Sequence, residues 1–293
     1  MTRKGIILAG GTGTRLYPAT RAVSKQLMPV HDKPMIYYPL STIMLAGIRE
    51  LLIISTPRDL PLFRDLLGDG SQWGISLSYA EQAEPSGLAE AFIIGRKFIG
   101  KSAVSMILGD NLFYGQGLQE LLHKAVKQKE GATVFSYRVS NPSRYGVIKF
   151  NKQRAPVDLV EKPKNPESRW AVTGFYFYDN NVIDIARDLK PSDRNELEIT
   201  DINRAYLKQG KLEAVQLGRG YAWFDTGTHE SLADATEFVR IIEKRQGLKL
   251  GCPEEIAFAL GYIGGDEVLK IAKQMGDTGY AAYLRELVNP DQS

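Results

Sequence analysis

The sequence predicts a three-layer α/β sandwich, in which a mostly parallel but mixed sheet lies between helices. Three observations lead there. Short apolar runs alternate with helically spaced segments through the first half, several of those runs are apolar on both faces, and the first run empties into a glycine-rich loop. Strands apolar on both faces belong to parallel sheets covered on each side. In such sheets ligands lie beyond the carboxyl ends of the strands.

Strands are expected at 5–8, 51–55, 77–80, 103–108 and 133–138, with helices at 39–46, 60–67, 88–98 and 118–129 between them. From about residue 145 the texture changes. Strands at 146–150, 159–161, 171–178 and 212–217 suggest a more mixed sheet, interrupted by helices near 182–189 and 199–209. A helix over 231–245 carries the stripe Leu232, Ala235, Val239 and Ile242. Short helical pieces follow Gly247. The expected division is an α/β unit over 1–245, with a first part to about 140 and a second over about 141–228 that closes over the crevice, then a helical appendage over 246–293.

The 293 residues fit one large or two modest domains, and 43% apolar against 24% charged residues is ample for a soluble core. A net charge of +3 without like-charge runs is too mild to suggest nucleic acid. The single Cys252 excludes an internal disulfide, suits a reducing compartment and reads as a structural thiol. Arg3 and Lys4 precede an apolar stretch that stops at Gly10-Gly11, too short for a secretory leader. The most apolar window, 34–48, is broken by Pro39 and closed by Arg49-Glu50, so it does not span a bilayer. The expectation is a cytoplasmic protein with no membrane or nucleic-acid partner.

Leu8-Ala9-Gly10-Gly11-Thr12-Gly13-Thr14-Arg15-Leu16 leaves the first strand as a phosphate loop. Glycines let backbone N–H groups approach an anion, and Arg15 places a fixed cation in the turn. The loop lacks the lysine of a P-loop and the third glycine of a dinucleotide loop. Lys25, in Ser24-Lys25-Gln26, adds a second cation able to fold back over it. Asp110, in Gly109-Asp110-Asn111, and Asp225, after Trp223-Phe224, each end an apolar run. Two carboxylates facing a phosphate loop make a hard-oxygen site suited to Mg²⁺. Glu161-Lys162-Pro163 offers a carboxylate for sugar hydroxyls and a cation for a second phosphate, or else an ordinary surface ion pair. Arg194 is a further phosphate cation, or a solvated charge beside a helix capped by Ser192 or Asp193. The Gln82 amide, which both donates and accepts, is able to read a base edge. His31, His123 and His229 have no metal-ligand spacing, and Phe175-Tyr176-Phe177-Tyr178 reads as strand packing.

With the loop, Ser24-Lys25-Gln26, Gly109-Asp110-Asn111, Glu161-Lys162-Pro163 and Trp223-Phe224-Asp225-Thr226-Gly227-Thr228, the chain resembles the sugar nucleotidylyltransferases along essentially its whole length. Within them it is similar to members that activate glucose 1-phosphate, a match strengthened by the segments 37–41, 67–71, 196–201 and 218–223. The resemblance implies a Rossmann-like fold with an inserted sugar-binding part. It implies Mg²⁺-dependent transfer of a deoxythymidylyl group from dTTP to glucose 1-phosphate, giving dTDP-glucose for dTDP-rhamnose or another dTDP-deoxysugar. Gly10, Gly11, Gly13, Thr14, Arg15, Gln26, Gln82, Gly87 and Asp110 are implied to bind nucleotide, with Arg15, Lys25 and Lys162 catalytic. Asn111, Tyr145, Gly146, Glu161, Lys162, Val172 and Arg194 are implied to bind the sugar phosphate, and Asp110 and Asp225 the metal. A homotetramer, with an end-product inhibitor at a subunit interface, is implied too. Two departures from the family pattern stand out: Glu84-Pro85-Ser86 in place of Ser-Pro-Asp, and Asn195 in place of Gly. Use of UTP, a non-catalytic nucleotide sensor and an NAD-dependent oxidoreductase are the alternatives, the last disfavoured by the missing third glycine.

Overall fold

The structure, a computed structural model, describes residues 3–289. β1 (Arg3–Leu8) runs through the glycine loop to a small hairpin, β2 (Pro29–Val30) and β3 (Lys33–Pro34). Then come α1 (Tyr37–Leu45), β4 (Glu50–Ser55), α2 (Leu60–Leu67), β5 (Ser76–Glu81), α3 (Glu90–Ile94), α4 (Arg96–Ile99) and β6 (Ala103–Leu108). β7 (Asn111–Gly115), α5 (Leu118–Lys127) and β8 (Ala132–Arg138) lead to β9 (Gly146–Phe150), β10 (Pro156–Glu161) and β11 (Trp170–Tyr178). α6 (Val182–Asp188), α7 (Ile199–Lys208), β12 (Leu212–Leu217) and β13 (Tyr221–Asp225) complete the α/β part. α8 (His229–Gln246), α9 (Pro253–Ala259), α10 (Gly265–Gln274) and α11 (Gly279–Val288) end the chain.

Nine strands form one sheet. β5, β4, β1 and β6 lie side by side and parallel, with Ile6 beside both Leu52 and Met106. Side chains alternate across a strand, so β1 feeds two cores. Ile7 joins Ile53, Ile107 and Phe175 under α1, α2 and α5, whereas Ile6 joins Leu52, Met106 and Tyr176 under α3, α6 and α7. This two-sided burial is why the first strands read as unbroken apolar runs. The aromatic run of β11 divides the same way, Phe175 and Phe177 to one face, Tyr176 and Tyr178 to the other.

Strands of the second half join this sheet instead of building another. β11 runs antiparallel to β6, with Phe175 opposite Ile107, and carries β8 and then β12 on its other edge. The change of texture near residue 145 therefore reflects β10 and β11 running against the other strands of one sheet. The helix expected at 88–98 begins at Glu90 and divides at Gly95 into α3 and α4. β7 and β13, a ribbon apart from the main sheet, pair antiparallel and set Asp225 opposite Asn111. α8 starts on a capping box, Thr228 accepting from Ser231 N and Ser231 from Thr228 N, which puts the helix start two residues before the expected one. Cys252 is buried against α10 and α11, and burial, then the nearby Glu254 carboxylate, pushes its thiol well above its usual value. No helix among the described residues is long and apolar enough to cross a membrane.

Candidate active site

β1 ends at Leu8 between two parallel neighbours, and both hold the start of the loop: Ala9 N–H donates to Ile54 O and Gly109 N–H to Leu8 O, each at 2.8 Å. The Gln26 amide donates to Gly10 O at 3.2 Å and is itself fixed by the Ser24 hydroxyl. Buried Leu16 anchors the following turn, so Arg15 projects from it. Gly13 and Thr14 support the loop from outside the cavity linings, with Gly13 O accepting from Thr20 Oγ1 at 2.7 Å.

Two cavities open along the carboxyl ends of the parallel strands. One, of about 290 Å³, takes its walls from Gly10, Gly11, Gln26, Gln82, Pro85 and Gly87. The other, of about 550 Å³, is walled by Asn111, Tyr145, Gly146, Glu161, Lys162, Val172 and Arg194, with Asp225. Arg15, Lys25 and Asp110 line both, so a single row of charges divides the two chambers. The phosphate loop, the strand-end acids and the Glu161-Lys162 step thus converge on one crevice.

Lys25 forms an ion pair with Asp110, whose other oxygen accepts from Asn111 Nδ2 at 2.8 Å. Burial pushes the Asp110 carboxyl up, but Lys25 and Asn111 outweigh it and hold it below its usual value. Asp225 goes the other way. Burial and the Asp110 charge raise it, against the pull of Lys25, Arg15 and Arg144. Gly227 makes room for this pairing: a Cβ there would lie 2.9 Å from both Arg15 Nη2 and Asp225 Oδ1. A buried and a partly buried carboxylate, the second short of compensating charge, fit a hard dication that also takes phosphate oxygens.

In the larger cavity Arg194 is held by acids. Its Nη2 lies 2.7 Å from Glu198 Oε2 and 3.3 Å from both Glu161 Oε1 and Glu196 Oε2. Ser192 does not cap α7; its hydroxyl donates to Glu198 Oε1 at 2.7 Å, while Glu198 itself is the N-terminal flanking residue of that helix. Asn195, the departure from glycine, sits at φ 58°, in the left-handed region that Asn tolerates best after Gly. Lys162 Nζ is 3.6 Å from Glu161 Oε1 and half-exposed towards the cavity.

Gln82 differs from its expected double role. Its Nε2 is committed inside the protein, to Gly87 O at 3.1 Å and Glu90 Oε2 at 2.7 Å, which leaves Oε1 as an acceptor beside Gly10. Sequence reasoning missed Arg144, Thr200, Glu198 and Trp223 in the cavity wall. Trp223 carried a signal, since it adjoins the Asp225 step, and Glu198 and Thr200 lie in the segment 196–201 that strengthened the resemblance; Arg144 carried none. His123 and His229 lie outside both cavities, whereas His31 Nε2 stands 3.7 Å from Glu243 Oε2 on the far side of β2 and β3.

Residues 4–241 match the nucleotidyl transferase family. A glucose-1-phosphate thymidylyltransferase of Neisseria meningitidis serogroup A is 56% identical over 285 residues, 97% of this chain and 99% of the relative. One from Xanthomonas campestris pv. campestris is 55% identical, covering 97% of each chain. Among solved structures, a Bacillus anthracis protein described as a glucose-1-phosphate thymidylyltransferase, in complex with a sucrose, superposes with a TM-score of 0.76 at 40% identity, over 82% of this chain and 96% of that one. A glycine loop, two facing acids and this likeness along the whole chain lead to one statement: the chain belongs to the nucleotidyl transferase family, among its glucose-1-phosphate thymidylyltransferases.

Proposed function

We propose that the crevice joins dTTP to glucose 1-phosphate, releasing pyrophosphate and dTDP-glucose. The observation that carries this reading is the shared wall: Arg15, Lys25 and Asp110 line both cavities, so the α-phosphate of a nucleotide in one meets the phosphate of a sugar in the other. The base enters the smaller chamber against Gln82 and Gly87. The imide N–H of thymine donates to Gln82 Oε1, the acceptor that the internal hydrogen bonds leave open. The hexose fills the larger chamber beside Glu161, Gly146 and Val172, its phosphate towards Lys162 and Arg194.

A phosphate oxygen of the sugar attacks the α-phosphorus in line. The new P–O bond forms as the bond to the β-phosphate oxygen breaks, and pyrophosphate leaves with the electron pair. The nucleophile is already an anion, so no general base is required, consistent with two cavities that no histidine lines. The obstacle is repulsion between two polyanions. Arg15 and Lys25 neutralise the triphosphate and Lys162 the attacking phosphate, while the fixed geometry of the two chambers contributes about 7–11 kcal/mol through proximity. Asp110 and Asp225 are the residues that would hold Mg²⁺, which when bound supplies further charge neutralisation at the triphosphate.

Pyrophosphate release on mixing dTTP with glucose 1-phosphate tests the reading, with UTP and ATP as comparisons. Turnover with dTTP is the expected result. Binding of dTTP without pyrophosphate release would overturn it in favour of a nucleotide sensor. Asp110→Asn should abolish Mg²⁺-dependent turnover while near-UV dichroism stays unchanged, and retained activity would remove Asp110 from the metal site.

A further inference from the structure

Arg144 ends the short turn before β9, and none of the expected roles included it. Its ring-side partner is Tyr145, with the guanidinium carbon 5.6 Å from the ring centroid, and its Nη2 lies 3.9 Å from Asp225 Oδ2. That nitrogen is buried and has no hydrogen-bond partner among the described residues, yet Arg144 lines the larger cavity. A buried guanidinium nitrogen without an acceptor is costly, and the nearest anion stands beyond hydrogen-bond reach. Arg15, across Gly227 from the same carboxylate, also acts on it through its charge. Asp225 is therefore screened by Arg144 and more distantly by Arg15, while Asp110 rests on Lys25.

We propose that Arg144 is a phosphate-binding residue that changes partner. Before substrate enters it screens Asp225, and once a dication occupies the paired acids it turns its unpartnered nitrogen to the phosphate of the sugar phosphate. This rests on the proposed function above and adds a ligand to it. Two consequences of opposite sign follow. A fixed positive charge beside Asp225 repels a dication, so removing it strengthens metal binding. The same removal takes a planar, bidentate donor from the sugar phosphate and weakens that substrate.

Mn²⁺ titrated into the substrate-free protein at pH 8 and followed by electron paramagnetic resonance reads the first consequence. Steady-state kinetics of Arg144→Ala and Arg144→Lys read the second, with thermal melting to confirm the fold. In Arg144→Ala, Mn²⁺ should bind roughly tenfold more tightly. KM for glucose 1-phosphate should rise roughly tenfold while KM for dTTP stays within about twofold. Arg144→Lys, which retains charge but not the planar fork, should return Mn²⁺ affinity to the original level and recover only part of KM. Unchanged or weaker Mn²⁺ binding in Arg144→Ala would overturn the proposal, as would an unmoved KM for the sugar phosphate. Should the unaltered protein release no pyrophosphate, the proposed function fails, and the Mn²⁺ titration still reads the contact between Arg144 and Asp225 on its own.

Discussion

Trp223 donates its indole N–H to Asn111 Oδ1 at 2.6 Å across the β7–β13 ribbon. The same oxygen accepts from Gly174 N at 3.1 Å, and the amide nitrogen of Asn111 donates to Asp110 Oδ1 at 2.8 Å. Asn111 thus relays the position of the ribbon, and of β11, to the acid at the end of β6. Its Oδ1 is filled by these two donors, while Nδ2, with one N–H on Asp110, lines the larger cavity, so Asn111 acts on the chemistry at least by orienting Asp110. Trp223→Phe keeps most of the packing against Tyr145, where the rings lie 5.2 Å apart, and removes only the donor. The expected result is a loss of about 1 kcal/mol in urea unfolding and a kcat lowered by about three- to tenfold. Unchanged kcat would mean that Asp110 is held without the relay.

Arg15 reaches the dividing wall from a turn anchored by Leu16, and Gly227 gives its guanidinium room beside Asp225. In the proposed function it is a fixed donor for the phosphates where charge builds up. Arg15→Ala should lower kcat by about 10²–10³, as the loss of one preorganised donor does elsewhere, with KM for glucose 1-phosphate little changed. Pre-steady-state pyrophosphate release measures the step directly. A near-normal rate would exclude Arg15 from the transfer.

In the proposed reading Gln82 meets the base through an acceptor only, because its nitrogen is bound to Gly87 O and Glu90. Thymine and uracil both present an imide N–H there. Gln82→Leu should therefore reduce kcat/KM for dTTP and for UTP alike, by about 10- to 100-fold, leaving their ratio within about threefold. A selective loss with one nucleotide would show that Gln82 senses more than the imide. The methyl group of thymine must be distinguished by the apolar wall, which includes Leu88 and Leu108, and such contacts are worth about 1–3 kcal/mol.

Much of this site was legible in the sequence, for identifiable reasons. α2 and β9 fall on the expected bounds because Leu60, Phe63 and Leu67 keep helical spacing and Gly146 opens an apolar run that ends at Phe150. Asp110 and Asp225 were legible because each adjoins a strand end, and Arg15 because the glycine loop that carries it leaves the end of β1. Arg144 was not. A lone arginine after Pro142-Ser143 has no periodicity, and its place depends on Asp225 being carried across by the ribbon. Gln82 was half legible: residue type gave donor and acceptor, but only the fold shows Glu90, at the start of α3, taking the donor. The acids that grip Arg194 were similarly hidden, since Glu161 comes from β10 and Glu198 from the start of α7.

The last prediction concerns the join between the hairpin and the C-terminal helices. Lys33 is buried, and its ammonium lies 2.6 Å from Asp32 Oδ1 and 2.9 Å from Glu243 Oε1 near the end of α8. Lys249 pairs with Asp32 and, at 2.9 Å, with Glu243 Oε2, while Leu250 N–H donates to Glu243 Oε1 at 2.9 Å. Burial would raise the Asp32 carboxyl above its usual 3.8, but Lys33 and Lys249 outweigh it and hold it below that value. The folded state therefore binds this proton less readily than the unfolded chain does. Its stabilisation is complete above pH 3.8 and disappears as pH falls through the lower folded value. Asp32→Asn should cost about 1–2 kcal/mol at pH 7, because two ammonium groups lose a charged acceptor. The gap between the variant and the original protein should narrow as pH falls below 3.8 and through the lower folded value, where the carboxyl becomes neutral in both states. Thermal unfolding of the two proteins across this range measures it, and a gap independent of pH would show that Asp32 contributes through packing instead of charge.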